Sequence, residues 1–445
     1  MTASDTHRAI HAVWRIESAR LIAGLARMVR DVGLAEELAQ DALVIALEKW
    51  PRTGVPDNPG AWLMATAKHR AIDQMRRGKQ LERKHEELGH EMEARQDAAT
   101  PDLDAMIDED VGDDLLRLIF TACHPVLSTE ARVALTLRLL GGLTTEEIAR
   151  AYLVPEPTVA QRIVRAKRTL AEAKVPYEVP RGPELAERLS SVLQVIYLIF
   201  NEGYSATAGG DWMRPELCQD ALRLGRILAE LVPQEPEVHG LVALMEIQAS
   251  RARARVGPSG EPILLLDQNR GLWDQLLIRR GLTALERAGK PGAAPGPYVL
   301  QGAIAACHAR ARTPEETDWQ RIAELYGVLA RVSPSPVVEL NRAVAVSMAS
   351  GPEKGLEIVD SLTSEPSLAG YHLLPSVRGD FLFKLGRLGE ARAEFERAAS
   401  LTRNVRERDL LLGRAAACGG DAALAPAPAA KAPASPGRKA RPRRS

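Results

Sequence analysis

Apolar residues recur along most of the chain at spacings of three and four positions, which is the period of an amphipathic helix. Strictly alternating runs, which would predict strands, are scarce, and aromatic residues make up only 4 % of the sequence. The most apolar run, at 189–200, is too short to cross a bilayer, because a membrane-spanning helix needs about 20 residues. The pattern therefore predicts an all-α protein in which 189–200 is a buried helix.

The segment 144–170, TTEEIARAYLVPEPTVAQRIVRAKRTL, has a helical pattern that two prolines interrupt. A proline inside a helix costs about 3 kcal/mol, but it is tolerated in the first turn, where its missing N–H would be unpaired anyway. Pro155 and Pro157 therefore predict a break between two helices, one at 145–151 with a capping threonine and one at 156–173. Two short helices joined by a turn of three to four residues form a helix-turn-helix.

The second of these predicted helices has one apolar and one polar face. The apolar stripe consists of Val159, Ile163, Ala166 and Leu170. The outward positions are Thr158, Ala160, Gln161, Arg162, Arg165 and Arg168. Arginine and glutamine can make paired hydrogen bonds to the edges of guanine and adenine in the major groove, so this face predicts DNA contact. The alternative is an ordinary pair of antiparallel helices with a solvated basic face.

A second basic helix is predicted from about Pro59 to residue 84. Its cations are Lys68, Arg70, Arg76, Arg77, Lys79, Arg83 and Lys84. The positions that can line a core are Trp62, Leu63, Ala67, Ala71, Ile72 and Met75. A basic helix is most often a solvated face, but two basic helical elements on either side of one acidic linker favour a nucleic-acid partner.

The charge balance conceals this asymmetry. The formal net charge is zero and the pI is about 7.1, which argues against a uniformly basic coat. Residues 86–114 belong to a strongly charged stretch that ends acidic and holds few large apolar groups, which is typical of a linker. The acids of this linker cancel the cations of the two basic helices.

Cysteine usage favours reduced thiols and no metal site. The four cysteines are Cys123, Cys218, Cys307 and Cys418, and none forms a CxxC pair. Cys123–His124 and Cys307–His308 are neighbours in sequence, but adjacent residues point to different faces of a helix. We expect no cofactor. The first residues contain no apolar signal segment, so a cytoplasmic protein without a membrane partner is expected.

The C-terminal half carries repeat-like helix pairs. Residues 374–401 match the tetratricopeptide pattern, 339–362 match it more weakly, and a further pair is predicted at 216–250. Such hairpins stack into a solenoid, whose concave surface suits a peptide or protein partner. The segments 175–183 and 289–297 are rich in proline and glycine and mark a boundary and a loop. From about 420 the chain is a basic Pro/Ala-rich tail that we expect to be disordered.

With both basic elements in view, residues 7–175 resemble a bacterial RNA polymerase sigma factor of the sigma-70 family, extracytoplasmic-function group. AEELAQDALVIALEKWP (35–51) resembles the region 2 helix that docks on the polymerase core. NPGAWLMATAKHRAIDQMRRGK (58–79) resembles the part of region 2 that opens and reads the −10 element, and 137–172 resembles region 4, which reads the −35 element.

The resemblance implies a role for particular residues. Those that match the core-docking helix are Leu38, Asp41, Leu47 and Trp50. Those that match the −10 module are Trp62, Lys68, His69, Arg70, Asp73, Arg76 and Arg77. Those that match the −35 recognition helix are Thr158, Gln161, Arg162, Arg165 and Lys167. The sequence departs from the family pattern at His69, where asparagine is frequent, and in the turn before Glu156, which lacks the frequent glycine.

The resemblance implies a layout of five segments and a promoter-specificity subunit that is not an enzyme. The segments are region 2 at 1–85, the acidic linker at 86–114, region 4 at 115–176, a helical tetratricopeptide-like extension at 184–420, and the basic tail at 421–445. We expect RNA polymerase core and promoter DNA as partners, with a protein or peptide partner for the repeats, and an extension that regulates activity.

Two alternatives remain open on the sequence. The first is a helix-turn-helix regulator with a ligand- or protein-sensing solenoid, which would have no need of the docking helix at 35–51. The second is an enzyme with an α-helical catalytic domain, but no nucleophile–base pair or phosphate-binding glycine loop is visible at 184–420. The loop-like stretch 200–216 holds polar residues that suit a ligand site, although such residues are more often turn formers: Asn201, Glu202, Tyr204 and Asp211.

Overall fold

The computed structural model describes residues 3–87, 111–152, 154–289 and 294–419, and within these ranges nearly all regular structure is helical. The prediction of an all-α protein is therefore confirmed. The described strands are two residue pairs, Ala208–Gly209 (β1) and Arg403–Asn404 (β2), which run parallel. No helix within the described ranges is long and apolar enough to cross a membrane. Most of the predicted linker and the predicted basic tail lie outside the described residues.

The N-terminal module consists of three helices: α1 Ala3–Val29, α2 Val32–Thr53 and α3 Pro59–Glu87. The side chain of Asp31 caps α2 by accepting a hydrogen bond from the Leu34 amide at 2.9 Å. The predicted core positions Leu63, Ala67 and Ala71 are buried, and Trp62 and Ile72 are half-buried. Met75 was predicted to line the core but is 38 % exposed, because α3 has no fully buried position after Ala71 among its described side chains.

The helix-turn-helix module consists of four helices: α4 Val111–Ala122, α5 Thr129–Leu139, α6 Thr145–Tyr152 and α7 Glu156–Glu172. The two predicted helices on either side of Pro155 are therefore confirmed, and Pro155 is the residue that precedes α7. The last residues of the predicted linker, 111–114, are instead the first turn of α4. Carboxylates suit this position because the N-terminal end of a helix carries partial positive charge.

The C-terminal extension begins at Pro183 and is a succession of helices, each packed on the one before: α8 Pro183–Tyr204, α9 Pro215–Leu231, α10 Pro236–Ala249, α11 Gln275–Ala288, α12 Pro297–Arg310, α13 Trp319–Val332, α14 Pro336–Ser350, α15 Pro352–Leu362, α16 Leu373–Lys384, α17 Leu388–Leu401 and α18 Val405–Ala417. The apolar run at 189–200 lies inside α8 and is mostly buried, as predicted. All three predicted helix pairs are present, as α9–α10, α14–α15 and α16–α17.

The buried apolar clusters group the helices differently from the predicted division into a region 4 module and a separate extension. One continuous cluster of buried residues extends from Ile10 of α1 through α2–α7 to Met245 of α10. A separate cluster holds α14–α18 together, and we call these five helices the repeat stack. The first three helices of the extension, α8–α10, therefore share a core with the helix-turn-helix module rather than with the repeat stack.

Candidate nucleic-acid interface

The outer face of α3 carries cations at the positions predicted from the sequence. The exposed side chains are His69, Arg70, Asp73 and Arg76, and Lys68 is half-buried. Arg70 forms an ion pair with Asp41 of α2, with 3.2 Å between Nη1 and Oδ2. Because both side chains are about half exposed, this pair contributes little to stability. The side chain of Arg77 lies outside the described residues.

Three of the apolar residues assigned to region 2 surfaces pack internally. Leu38 is 2 % exposed and Trp50 is 1 % exposed. Trp62 is half-buried and meets Trp50 edge to face, with ring centroids 5.2 Å apart, a favourable aromatic geometry. Leu38 and Trp50 therefore hold α2 in place and do not reach a partner in this conformation. Of the other predicted docking residues, Asp41 is exposed and Leu47 is half-buried.

A different set of α2 residues faces outward. Glu37, Asp41, Val44 and Glu48 are exposed and recur at intervals of four, three and four, which places them on one side of the helix. Val44 is 52 % exposed, although its neighbours on the other faces pack into the core. We call these four residues the α2 stripe. Three of them, Glu37, Val44 and Glu48, lie outside the predicted docking set. The helical period that identifies the buried face of α2 also identifies this exposed face.

The helix-turn-helix is fixed by local chemistry. The Thr144 hydroxyl accepts a hydrogen bond from the Glu147 amide at 3.1 Å, and the Glu147 carboxylate accepts one from the Thr144 amide at 2.7 Å. This reciprocal capping box satisfies two donors at the start of α6. Pro157 lies in the first turn of α7, where a missing N–H does no harm.

The two faces of α7 are those that the pattern predicts. Val159, Ile163, Ala166 and Leu170 are buried. Thr158, Gln161, Arg165 and Arg168 are exposed. Arg162 is half-buried and, with Tyr152, lines a cavity of about 200 Å³ beside α8. Lys167 is also half-buried, for a reason that the sequence does not reveal.

Lys167 of α7 is in ion-pair contact with Glu36 of the N-terminal module. Glu36 is 3 % exposed, and its carboxylate also lies 2.6 Å from Nε of Arg138 of α5. Arg138 in turn donates a hydrogen bond to the carbonyl of Leu143 at 3.1 Å. One buried carboxylate of α2 thus holds two cations of the helix-turn-helix module.

At a second contact the roles are exchanged: the helix-turn-helix module supplies the carboxylate, Asp114, and the N-terminal module supplies the cation. This α4 carboxylate is 4 % exposed and lies 3.1 Å from Arg27 of α1 and 2.6 Å from Arg117. The Tyr177 hydroxyl lies within hydrogen-bond distance of two carbonyls, those of Ala23 (3.0 Å) and Asp114 (2.9 Å). Burial raises the pKa of Tyr177, so the hydroxyl keeps its proton and remains a donor. We call the contacts around Glu36 and Asp114 the inter-module seam.

The extension is fastened to both modules by polar contacts. Asp220 of α9 is 6 % exposed, lies 3.2 Å from Arg15 of α1, and has its pKa raised by burial, partly offset by the charges of Arg15 and Arg223. Arg223 donates to the Leu140 carbonyl at 2.8 Å. Arg188 of α8 donates to the carbonyl of Phe120 at 3.0 Å.

The polar residues of 200–216 mostly serve the local fold. Glu202 is 8 % exposed and accepts hydrogen bonds from Arg214 and from the Thr207 hydroxyl. Asn404 is fully buried and donates to the carbonyls of Ala206 and Asp211, which ties this loop to the start of α18. Glu202 is therefore engaged internally, whereas Asp211 is exposed.

The described part of the chain contains no group of three or more side chains suited to a metal ion. Cys123 is 1 % exposed, lies 3.4 Å from the Thr136 hydroxyl, and burial raises the pKa of its thiol to about 11. A thiol with this pKa is neither a good metal ligand nor a reactive nucleophile near neutral pH.

Three family models match the chain. Sigma-70 region 2 matches residues 16–80, which contain the second half of α1, all of α2 and the described outer face of α3. Sigma-70, region 4 matches residues 117–170, which contain the helix-turn-helix. Family of unknown function (DUF6596) matches residues 188–289, which lie in the extension.

Curated relatives fall into two classes. Uncharacterized protein R00370 of Rhizobium meliloti is 45 % identical over 384 residues, which cover 86 % of this chain and 89 % of that protein. ECF RNA polymerase sigma factor SigK of Mycobacterium ulcerans is 32 % identical and covers 33 % of this chain and 75 % of its own length. Probable ECF RNA polymerase sigma factor SigI of Mycobacterium tuberculosis is 26 % identical over 38 % of this chain and 57 % of its own length. No solved structure matches the chain.

Proposed function

Because the chain belongs to the sigma-70 family, as an extracytoplasmic-function sigma factor with a C-terminal extension, we propose that it binds the RNA polymerase core in the cytoplasm and directs it to promoters. The observation that carries this proposal is the pair of outward polar faces. The α3 face presents His69, Arg70 and Arg76, and the α7 face presents Thr158, Gln161 and Arg165. The first face binds the −10 element and the second binds the −35 element.

The α2 stripe is the surface we assign to polymerase docking. It is exposed, it is acidic, and Val44 gives it one apolar contact point. Leu38 and Trp50 support this surface from the core side. A partner surface with basic residues around an apolar pocket fits it, since charged rims steer association and apolar centres supply affinity.

The inter-module seam conflicts with simultaneous binding of both promoter elements. Elements at −10 and −35 are separated by about 25 base pairs, or about 85 Å of duplex at 3.4 Å per pair. In the structure Lys167 of α7 touches Glu36 of α2, so the two modules are in direct contact. We therefore propose that the described form is a resting state, that the extension stabilises it through Asp220 and Arg188, and that the seam opens on promoter binding.

Initiation by the purified full-length protein tests the function. We expect it to bind core polymerase and to produce defined transcript starts on genomic DNA, with output reduced in Arg165→Ala and Val44→Asp variants. Glu324→Gln, at an exposed position of α13, serves as the matched control. The alternative function, a helix-turn-helix regulator, predicts DNA binding without polymerase binding. Failure to bind core polymerase would overturn the proposal.

Fluorescence transfer tests the opening of the seam. Arg30 and Ala171 belong to different modules and line one cavity, so donor and acceptor labels placed there should be close in the free protein. We expect transfer to fall when core polymerase and promoter are added. Labels at Glu146 and Ala171, both within the helix-turn-helix module, should show no change. Unchanged transfer between the first pair in the active complex would contradict the closed resting state.

A further inference from the structure

A cavity of about 440 Å³ lies in the extension where three segments far apart in sequence meet. Its walls come from the loop 210–215, from the segment 252–260, and from Arg406 at the start of α18. Its volume lies within the range of small-molecule sites, which is roughly 300–1,000 Å³. No function proposed above for the N-terminal module, the helix-turn-helix module or the repeat-like helix pairs uses this cavity.

The lining combines two cations with an apolar wall. Arg253 and Arg406 both line the cavity, and neither forms an ion pair with a carboxylate of the described residues. The remaining wall is largely apolar and includes Trp212, Met213 and Val256. The Arg255 guanidinium lies 5.5 Å from the centroid of the Trp212 ring, is buried, and donates a hydrogen bond to the Tyr204 carbonyl.

The charge around the cavity is unbalanced toward positive. Asp211 is the one carboxylate among its lining residues, against the guanidinium groups of Arg253 and Arg406. Guanidinium groups without internal partners are the ordinary means by which proteins bind carboxylate or phosphate. The apolar wall offers burial to the rest of the ligand.

The cavity is formed in advance by backbone contacts. Gly260 has φ +82°, and a Cβ there would lie 3.2 Å from Nη2 of Arg406, so the glycine permits the guanidinium to rest over this turn. Asn404 donates to the carbonyl of Asp211 at 2.9 Å and fixes the opposite wall. Ile263 donates to the Arg255 carbonyl at 2.8 Å and closes the hairpin that carries the third wall.

The loop 210–215 has a second face. Gly210, Asp211, Met213 and Pro215 also line a neighbouring cavity of about 600 Å³. The other walls of that second cavity include Arg15 of α1 and Glu147 of α6. The loop 210–215 is therefore a wall shared by the first cavity and by the contact between the extension and the two N-terminal modules.

We propose that the cavity between Arg253, Arg406 and Trp212 binds a small molecule with one carboxylate or phosphate group and an apolar body, and that its occupancy regulates the sigma modules through the loop 210–215. The oxyanion lies between the two guanidinium groups, and the apolar body lies against Trp212. The binding step stands independently of the proposed function. The regulatory step rests on it.

Calorimetric titration of the full-length protein tests the binding step. Benzoate and phenyl phosphate serve as anionic probes, and benzamide serves as the neutral probe of the same shape as benzoate. We expect saturable binding of at least one anion, and the difference between the two anions identifies which oxyanion the site prefers. If neither anion binds more tightly than benzamide, the proposal is wrong.

Paired variants locate the bound anion. In Arg253→Gln/Arg406→Gln the affinity should fall at least about tenfold, because each guanidinium–oxyanion contact is a charge-assisted hydrogen bond. Arg397→Gln, at an exposed position of α17, should bind as the unaltered protein does. Equal affinity of the double variant and the unaltered protein would overturn the site. A thermal melt of each variant without ligand shows that the fold is retained.

Transcription assays separate the two steps. The anion that binds should change promoter output of the unaltered protein with core polymerase and leave the output of the double variant unchanged. Binding without any change in output would refute the regulatory step alone. Absence of polymerase binding, with anion binding intact, would refute the proposed function and leave the cavity assignment standing.

Discussion

The inter-module seam and the repeat stack are both made of packed helices, but their buried contacts differ in kind. At the seam, Glu36 and Asp114 are buried carboxylates that hold cations from the opposite module. In the repeat stack, Gly379 leaves room for the Phe395 ring, and a Cβ at residue 379 would lie 2.9 Å from it. A charged group separated from its partner regains much of its interaction energy in water or on a phosphate, whereas an apolar ring does not. The difference predicts that the seam opens more readily than the stack unfolds, although opening must also separate apolar side chains of the core cluster that joins the two modules.

Phe395→Ala should produce the largest loss of stability. The side chain is 1 % exposed, packs on Gly379 and carries the Arg414 guanidinium 4.3 Å from its ring centroid. Removal of a fully buried aromatic ring costs about 3–5 kcal/mol of unfolding free energy. Urea denaturation followed by circular dichroism would measure this loss.

A matched variant sharpens the result. Phe383 of α16 is half-buried, so Phe383→Ala should cost less than half as much. If the two variants are equally destabilised, the repeat stack is not organised around Phe395. If the Phe395→Ala variant also loses the seam, as judged by transfer between labels at Arg30 and Ala171, the seam and the stack are not separable.

Glu36→Gln should destabilise the protein less than Phe395→Ala does, but it should open the inter-module seam more. Removal of one member of a buried ion pair costs about 3–5 kcal/mol, but Arg138 and Lys167 are each about one-fifth exposed and can turn to water, so we expect about 2 kcal/mol. Transfer between labels at Arg30 and Ala171 should fall in the free protein, and promoter output should rise.

Glu172→Gln is the control for this prediction. Glu172 is also a carboxylate paired with a cation of α7, Arg168, but both side chains are more than half exposed. The control should therefore leave transfer and output unchanged. A Glu36→Gln variant that stays closed would show that apolar packing, rather than charge, holds the seam.

The helical period made the stack and the helix-turn-helix predictable, because each helix there has one apolar face. The polar contacts between modules, those of the seam and those that attach the extension, were not predictable in the same way. Asp220 occupies a position that the period assigns to the buried face of α9, between Leu217 and Leu224. An acid at such a position signals a buried partner, but the partner, Arg15, lies 205 residues away and only the tertiary structure identifies it. Leu38 and Trp50, which the resemblance assigns to the docking helix, are buried in this structure, and the spacing of Trp50 is also that of a core position.

His308 of α12 provides a pH test of the extension without any acid partner. Burial, followed by the charges of Arg251 and Arg270, lowers its pKa from 6.5 to about 3. Because the folded state releases this proton more readily than the unfolded chain, the unfolded chain binds it first as the pH falls below about 6.5, and stability is lost between about pH 6.5 and pH 3. At pH 5 the loss should be about 2 kcal/mol.

The difference between two stability profiles isolates this residue from all other titrating groups. His308→Phe keeps the edge-to-face contact with Trp319, whose ring centroid is 5.1 Å away. The variant should lose less stability than the unaltered protein between pH 7 and pH 5. Parallel profiles would mean that His308 is protonated in the folded state, and that its environment is not as desolvated as the structure indicates.

Thr144→Ala should have the smallest effect, and one confined to neither the seam nor the stack. The hydroxyl caps α6 through the Glu147 amide, and loss of such a cap costs about 1 kcal/mol. Hydrogen exchange should quicken in the first turn of α6 and leave the amides of α17 unchanged. Thr145→Ala is the control, because Thr145 is the first residue of α6 and its side chain is not the cap.

Because α6 positions α7, Thr144→Ala should weaken −35 binding modestly while polymerase binding through the α2 stripe persists. Equal weakening of −35 binding and polymerase binding would mean that the N-terminal module and the helix-turn-helix module respond as one body. The contrast between a seam that can open and a stack that cannot would then be wrong.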